Sequence, residues 1–197
     1  CKRQHAQYAT EQKEKGRSGQ CSHSKASDKA YQGHVNGNGN KGVAQHSANG
    51  HIMFRGEGNE GLLCGHGILY NRETGKKKYE GLFKEGKPDG HGTSYHDESG
   101  SKGYEGDFKA GMRHGVGTWY FDNGQMRYQG EWKEDMPDGH GMLYHRESGR
   151  KTREGHVKQA KRDGRGAEYF DDGQIKFQGE WKQDVRRGQG ELYFESG

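Results

Sequence analysis

The residues of this chain that could do chemistry are histidines placed at regular intervals between or beside glycines. His66, His91 and His140 each stand between two glycines, and His114 directly precedes one. A zinc site needs several such side chains around one ion. If each histidine sits on its own two-stranded hairpin, as argued below, equivalent histidines lie about 10 Å apart. They cannot then share an ion, so we expect solvated histidines or histidines at aromatic edges, with no metal and no cofactor.

The carboxylates and the glycine pairs also lack the surroundings of an active site. Glu80, Glu105, Glu131 and Glu180 recur at positions that face lysines, which predicts solvated cross-strand ion pairs. The Gly–x–Gly pairs are not followed by a helix that could bind a phosphate at its N-terminus, so they are no nucleotide-binding fingerprint. No Ser/His/Asp or Cys/His set stands out from chance. We therefore predict that the chain is not an enzyme and has no catalytic residues.

The feature that organises the chain is a repeat of an aromatic residue, a spacer and a glycine, followed by a glycine pair. The repeat starts fall at residues 31, 54, 79, 104, 128, 153 and 177, so each unit spans 23 to 25 residues. A period in this range is typical of an array of one supersecondary unit. The blocks 104–132 and 153–181 also match one another, which indicates a duplicated two-repeat unit of 49 residues.

Each unit has the pattern of a β-hairpin. Between residues 79 and 84, Tyr79, a glycine and Phe83 alternate with polar or aliphatic residues, which is the two-residue period of a strand. A turn signal follows at residues 85–89, and the Gly–x–Gly pair is expected to open a second strand that ends on a tyrosine such as Tyr95. Helix is disfavoured, because each glycine costs a helix about 1 kcal/mol relative to alanine. The sequence predicts an all-β fold.

The composition of the chain supports a repeat array rather than an ordinary globule. Of the 197 residues, 26% are hydrophobic, 30% are charged and 36 are glycine, and the mean hydropathy is −1.40. Such values lean towards disorder, but the aromatic residues and glycines recur at fixed offsets, which a flexible linker would not need. We expect residues 1–30 to be a polar lead-in or a degenerate repeat, and residues 31–197 to form about seven repeats.

Charge and cysteine content indicate which partners and which cellular compartment to expect. A net charge of +4 is nearly balanced and gives no argument for nucleic acid as a partner. Cys1, Cys21 and Cys64 are an odd number without metal-like spacing, which favours a reducing compartment. No signal peptide or apolar span is visible, so we expect a cytoplasmic protein. The start at Cys1 and the end at Gly197, inside a repeat, suggest a piece of a longer protein.

The aromatic residues of the first strands are the candidate binding site. A continuous apolar stripe on a one-layer sheet exposes more aromatic surface than a monomer tolerates, so we predict that this stripe receives a helix or an extended segment of a partner. The alternative is that the rings only stack on one another as a thin core. Whether the second-strand tyrosines share this face is left open. The predicted partner-binding residues are Tyr79, Phe83, Tyr104, Phe108, Tyr128, Trp132, Phe177 and Trp181.

These residues resemble the MORN repeat, whose unit reads Tyr–Glu–Gly–x–Trp–x–x–Gly–x–x–x–Gly–x–Gly. The resemblance covers residues 54–197 well and 31–53 in part. It implies consecutive hairpins in one elongated, single-layer, antiparallel sheet, a β-solenoid-like ribbon. Arg153 and Val157 depart from the aromatic pattern, which puts the repeat at 153 in doubt as an aromatic contact site but not as a hairpin. In later units Gly86 is replaced by Asp135, Ala160 or Asp184.

The resemblance implies a non-catalytic scaffold or protein-docking module in a cytoskeletal or ciliary assembly, such as the radial spokes of an axoneme in a cilium or flagellum. The main alternative is tethering to a membrane surface of anionic phospholipid, for which the basic clusters 76–78, 150–151 and 186–187 are the candidates. A targeting region of a larger enzyme, such as a lipid kinase or lysine methyltransferase, a bacterial immunity or antitoxin protein, and a homo-oligomer are also left open.

Overall fold

The computed structural model of the chain describes residues 32–35, 41–46, 52–59 and 62–194, and within them it contains strands, turns and links but no helix. A search of these residues for a transmembrane helix accordingly finds none. Residues 1–30, the predicted lead-in or degenerate repeat, lie outside the described ranges. The strands are β1 Gln32–Val35, β2 Lys41–His46, β3 Ile52–Asn59, β4 Leu62–Tyr70, β5 Lys77–Lys84, β6 Lys87–Tyr95, β7 Lys102–Lys109, β8 Met112–Tyr120, β9 Met126–Lys133, β10 Met136–Tyr144, β11 Lys151–Lys158, β12 Lys161–Tyr169, β13 Ile175–Lys182 and β14 Val185–Leu192.

The strands form one open sheet in which every strand pairs with its neighbours in sequence. The order runs from β1 to β14 without a crossover, and every pair is antiparallel. The glycine pairs hold the register, since Gly81 lies opposite both Gly67 of the preceding strand and Gly92 of the following one. The predicted all-β, single-layer, antiparallel sheet of consecutive hairpins is confirmed.

The hairpin turns are shorter than the sequence suggested. Between β5 and β6 only Glu85 and Gly86 form the turn, with φ values of 50° and 77°, as in a two-residue type I′ turn. The prediction that Gly–x–Gly opens the second strand is wrong, because β6 already begins at Lys87. A bulge in the middle of β6 is the reason: Gly92 pairs with Gly81 and Pro88 with Phe83, so three residues lie opposite one.

The links between hairpins alternate in length as the repeat spacing predicted. Residues 96–101 and 145–150 connect hairpins separated by 25 residues, whereas the shorter links 121–125 and 170–174 connect hairpins separated by 24. Among the described residues, the hairpin turns lie along one long edge of the sheet and the links along the other. The two edges therefore present different sets of side chains.

The core is a single row of aromatic rings on one face of the sheet, which we call the ring face. Neighbouring rings meet edge to face, with ring centres 5.0 to 5.4 Å apart and planes close to perpendicular. This run of contacts follows the order Phe54, Phe83, Tyr79, Phe108, Tyr104, Trp132 and Tyr128.

The rings are buried, so the expectation that they leave an exposed aromatic stripe is wrong. Of the eight predicted partner-binding residues, Tyr104 is 1% exposed and the other seven are 3% to 8% exposed. The reason is that each tyrosine lies flat on a glycine: a Cβ on Gly92 would be 2.2 Å from the Tyr79 hydroxyl oxygen. That hydroxyl donates a hydrogen bond to the Leu82 carbonyl, 3.0 Å away. Within this one layer, the rings cover one another.

The second-strand tyrosines lie on the opposite face, which we call the tyrosine face. The Tyr95 hydroxyl donates to the carboxylate of Glu80, and Tyr120 makes the same bond with Glu105. Each of these glutamates directly follows a ring-face tyrosine, and successive residues of a strand point to opposite faces. The question that the sequence left open is settled: the two tyrosine rows are on different faces.

Candidate partner-binding face

The accessible apolar groups of the ring face come from the second strands of the hairpins. Leu69, Trp119 and Leu143 pack against the row of rings while remaining partly exposed. Each lies directly opposite a first-strand ring position, as Trp119 does opposite Tyr104 and Tyr128. Sequence reasoning missed these residues. Their only signal is their place immediately before a second-strand tyrosine, and one equivalent position holds Ser94.

Two arginines are stacked on the tryptophans of the row. The Arg113 guanidinium lies 4.2 Å from the centre of the Trp132 ring, and its Nε donates to Asp135 at 3.0 Å. The arrangement recurs 49 residues later, where Arg162 lies 3.6 Å from the Trp181 ring centre and also donates to an aspartate. The predicted duplication of a two-repeat unit is therefore visible in side-chain contacts. It places cations along an aromatic face, where cation–π attraction adds to their binding.

The row of rings is interrupted at the hairpin of β11 and β12. Arg153 and Val157 stand where the other hairpins carry two rings, and edge-to-face contacts along the row resume with Phe177 and Trp181, whose ring centres lie 5.1 Å apart. The sequence-based doubt about aromatic contacts in this repeat is confirmed, and the hairpin itself is formed. A cavity of about 100 Å³ opens at the interruption. Its apolar wall is made by Tyr128, Pro137, Leu143, Val157 and Trp181.

Of the cations around this cavity, one makes no direct contact with a carboxylate. Glu168, directly across from Arg153 in the sheet, is engaged by Arg162 and Arg186, at 3.5 and 3.2 Å. Asp184 is held by Arg162. The exposed Arg153 side chain makes no hydrogen bond or ion pair with the described residues. Its charge acts on Asp184 only from a longer distance: burial raises the pKa of that carboxyl, and hydrogen bonds from Arg162 and the charges of Arg162 and Arg153 lower it. The rim of the cavity therefore offers a positive charge that can accept a carboxylate.

A second unpaired cation lies on the same face one repeat earlier. The Arg127 guanidinium is 3.7 Å from the centre of the Trp119 ring and 5.5 Å from that of Phe121. Among the described side chains, no carboxylate pairs with it. Arg127 sits at the irregular point of its strand pair, because Met126 and not Arg127 lies opposite Tyr120. The ring face thus carries two arginines that make no direct ion pair beside apolar groups.

On the tyrosine face, three hairpins carry a lysine, a glutamate and a tyrosine bonded to one another. Lys77 and Lys102 contact Glu80 and Glu105 from three residues earlier in the same strand, at 2.8 and 2.9 Å. The hydrogen bond from each lysine lowers the pKa of its glutamate. The predicted cross-strand geometry is therefore wrong for these pairs. The third set is Lys151, Glu154 and Tyr169.

The other two predicted carboxylates do not face lysines. Glu131 accepts a hydrogen bond from the His140 backbone N–H at 3.0 Å, and Glu180 lies 3.9 Å from the Arg165 guanidinium. Both occupy the strand position after the central glycine, whereas Glu80 precedes it. The four glutamates therefore occupy two different positions of the repeat.

The histidines are spread along the tyrosine face. His91 Nδ1 lies 3.3 Å from a carboxylate oxygen of Asp107, and the rings of His140 and His156 meet edge to face with centres 5.5 Å apart. Over the part of the chain that the structure describes, no three His, Cys, Asp or Glu side chains gather as metal ligands. These histidines act as ordinary polar contacts of neighbouring strands.

The three basic clusters do not share one surface. Residues 76–78 and 150–151 lie along the edge of the links, whereas residues 186–187 follow the turn between β13 and β14 at the other edge. Lys76 also donates to the Glu98 carbonyl, and Arg150 to the Asp171 carbonyl. Basic residues attract an anionic membrane only when they are gathered near it. In the structure the three basic clusters are divided between the two edges of the sheet.

Comparison with known proteins agrees with the geometry. A family model described as the MORN repeat matches residues 79–98, 104–126, 128–149, 154–175 and 177–197, which together are more than half of the chain. Four of these matches begin at a repeat start inferred from the sequence, and the other begins one residue later. A search of curated proteins found no relative. MORN repeats are associated with binding to proteins or phospholipid. The chain belongs to the family of MORN-repeat proteins.

Proposed function

We propose that this chain is a non-catalytic docking module that holds a segment of a partner protein on its ring face. The observation that carries the proposal is the surface around the interruption of the ring row. There the partly exposed Trp119 and Leu143, a cavity of about 100 Å³ and the unpaired Arg127 and Arg153 lie on one face. Tryptophan and arginine are enriched among the residues that dominate binding energy at protein interfaces.

The buried rings support such a surface from beneath. Trp132 and Tyr128 are fixed by edge-to-face contacts. The second-strand side chains Trp119 and Leu143 therefore pack on rings that do not move freely. Binding to a preorganised surface loses less conformational entropy than binding to a mobile one. The eight predicted ring residues would then act in partner binding mainly by positioning Trp119 and Leu143.

We further propose that the partner is a helix or extended segment of a protein in a cytoskeletal or ciliary assembly. An open sheet of hairpins repeats similar positions at regular steps, which suits a partner that is itself long. The association with radial spokes and cilia comes from the resemblance to MORN-repeat proteins of such structures. Localisation to the cytoplasm and to an axoneme is part of this proposal.

The proposal is tested by affinity capture from an extract of ciliary axonemes, comparing two double variants. Trp119→Ser with Leu143→Ser removes the two accessible apolar groups of the second strands that lie nearest the interruption. Serine is chosen because Ser94 occupies an equivalent position. The matched control is Leu82→Ser with Val116→Ser on the tyrosine face, where these side chains are 43% and 60% exposed. We expect the ring-face variant to lose the captured axonemal proteins and the control to keep them.

Two outcomes would contradict the proposal. If both double variants capture the same proteins as the unmodified chain, the ring face is not the docking surface. If the chain floats with vesicles containing about 30% phosphatidylserine at moderate salt, and the ring-face variant floats equally well, the protein is a membrane tether instead. Fluorescence imaging of the tagged chain in ciliated cells tests the proposed location independently.

A further inference from the structure

We propose that the cavity at the interruption of the ring row receives one aromatic side chain of the docked segment, and that Arg153 pairs with a carboxylate beside that side chain. This deepens the proposed function and rests on it. It assigns the partner a chemistry: an aromatic residue next to an acidic group.

The first support is Gly166, a glycine that no ring of this chain covers. In three other hairpins a tyrosine covers the second glycine, so that a Cβ on Gly117 or Gly141 would be 2.1 Å from a tyrosine hydroxyl, and in two more a phenylalanine covers it. In the hairpin of β11 and β12 the equivalent residue is Gly166. A Cβ there would meet backbone atoms and, at 3.6 Å, one carbon of Trp181, but no tyrosine. The surface shape that holds a ring is present without its ring.

The second support is the walls of the cavity. Tyr128 on one side and Trp181 on the other lack the neighbours that Tyr104 and Trp132 give each other, with ring centres 5.3 Å apart. A guest ring on Gly166 could lie beside Trp181 as Tyr104 lies beside Trp132, which would restore one contact of the edge-to-face kind that aromatic side chains prefer. An aliphatic guest could not make that contact.

The third support is size. The cavity of about 100 Å³ is somewhat smaller than an engineered apolar cavity of about 150 Å³ that binds benzene in another protein. It is also well below the roughly 300 Å³ at which pockets for drug-sized ligands begin. The space is therefore on the scale of a single ring rather than of a drug-sized ligand.

The fourth support is charge. Arg153 is exposed at the rim and makes no direct ion pair with the described residues, whereas Glu168 and Asp184 are contacted by Arg162. A guest that brings its own carboxylate would pair with Arg153 without displacing an existing contact. An amine beside the ring would be repelled by the same guanidinium. The cavity thus selects an acidic neighbour for the aromatic side chain.

The test uses N-acetylphenylalanine, which carries one ring and one carboxylate, as the probe. Adding it to the ¹⁵N-labelled full chain should shift the indole N–H signal of Trp181 saturably, with a dissociation constant in the millimolar range that is typical of so small a ligand. The indole signal of Trp132, which is buried in the continuous part of the row, should not move. The neutral amide of the probe should bind at least about fivefold more weakly, and N-acetylalanine should not bind.

Three variants and a control locate the probe. Val157→Phe and, separately, Arg153→Tyr supply a ring from the chain itself, and each should abolish the shift at Trp181 while the thermal midpoint stays equal or rises. Two independent ring-supplying variants guard against one failing to fold. Arg153→Gln should weaken the binding of N-acetylphenylalanine until it is no tighter than that of the neutral amide. Val116→Phe on the tyrosine face should leave binding unchanged.

The inference is overturned if the probe leaves Trp181 unmoved, or if Val157→Phe and Arg153→Tyr bind it as well as the unmodified chain. Equal binding of the acid and the amide would remove the role of Arg153. These outcomes are distinct from a failure of the proposed function. That failure would show as unchanged protein capture by the Trp119→Ser, Leu143→Ser variant, whatever the probe does.

Discussion

The phenol of Tyr104 lies directly on Gly117 of the strand beside it. A Cβ on Gly117 would be 2.1 Å from the tyrosine hydroxyl oxygen and 2.4 Å from Cζ, distances that real atoms do not reach. Tyr104 is 1% exposed and donates its hydroxyl proton to the Asp107 carbonyl at 3.2 Å. Burial of this hydroxyl raises its pKa. The burial of a ring in this one-layer sheet therefore depends on a glycine in the next strand.

The replacement Gly117→Ala should destabilise the chain by about 2–3 kcal/mol. The added methyl group must push the Tyr104 ring off the sheet, and overpacking of this kind costs about 1–3 kcal/mol in protein cores. Urea denaturation followed by tryptophan fluorescence measures the free energy of unfolding. Displacement of Tyr104 should also loosen Trp132, whose ring centre is 5.3 Å away.

The control for this substitution is Gly103→Ala in the same hairpin. A Cβ on Gly103 would lie 3.5 Å from its nearest neighbours, in ordinary van der Waals contact. Its effect should stay within about 1 kcal/mol of zero, because alanine also reduces the entropy of the unfolded chain. Equal losses of stability in both variants would show that contact between the Tyr104 ring and Gly117 is not the reason for the loss in Gly117→Ala.

The sequence was sufficient to predict the hairpins and their order, because alternation around Tyr79 and Phe83 and the glycine offsets are local signals. The burial of the rings was not predictable in the same way. It depends on glycines of two different strands, such as Gly81 and Gly92, meeting across the sheet. Only the register brings them together.

The candidate site was foreseen only in part. The departures at Arg153 and Val157 were visible in the sequence and marked the place of the cavity. Trp119 and Leu143 were missed because equivalent positions are not always apolar, as Ser94 and Glu168 show. The lack of a direct ion pair at Arg153 could not be foreseen, since it follows from Glu168 being engaged by other arginines.

The turn residue Ala160 should be improved by glycine. Its φ is 62°, in the left-handed region that costs a residue with a Cβ about 1–2 kcal/mol. Glycine relieves this strain but gains entropy in the unfolded chain, so we expect Ala160→Gly to stabilise the chain by about 1 kcal/mol. Thermal and urea unfolding measure the gain.

The matched comparison is Asp135→Gly at the equivalent turn position, where φ is 67°. The Asp135 carboxylate accepts hydrogen bonds from the backbone N–H and the Nε of Arg113, both at 3.0 Å. Glycine removes these bonds along with the strain, so its gain should be smaller than that of Ala160→Gly or become a loss. A larger gain at Asp135 would contradict the stabilising role given to its carboxylate.

The contact between Lys102 and Glu105 should make a small, acid-sensitive contribution to stability. The hydrogen bond from Lys102 lowers the pKa of Glu105 in the folded chain. A carboxyl group whose pKa is lower in the folded chain stabilises the fold at pH values above its unfolded pKa of about 4.3. This contribution is lost as the pH falls through the lower pKa of the folded chain. Since both side chains are about two-fifths exposed, solvent screening limits the contribution to less than about 1 kcal/mol.

The test compares Glu105→Gln with the unmodified chain by urea denaturation at pH 7 and at pH 3 and below. Glutamine is a fair substitute, because Gln129 holds the equivalent place in the next repeat. The variant should be slightly less stable at pH 7, and the difference should shrink as the pH falls through the folded pKa. A difference that persists in strong acid would show that the carboxylate charge is not its source.

Completing the ring row should stabilise the chain. In the double variant Arg153→Tyr, Val157→Phe, the new tyrosine can lie on Gly166 as Tyr128 lies on Gly141, and the new phenylalanine can fill the cavity of about 100 Å³. Aromatic pairs add about 0.5–1.5 kcal/mol each beyond area burial, and filling a cavity commonly gains about 0.5–2 kcal/mol. We therefore expect a gain of about 2 kcal/mol in the free energy of unfolding. The control Val116→Phe adds a ring on the tyrosine face, where the side chain is 60% exposed, and should gain little. If the double variant is less stable than the unmodified chain, the hairpin of β11 and β12 cannot accept a ring at these positions. The cavity would then not be a ring site for a partner either.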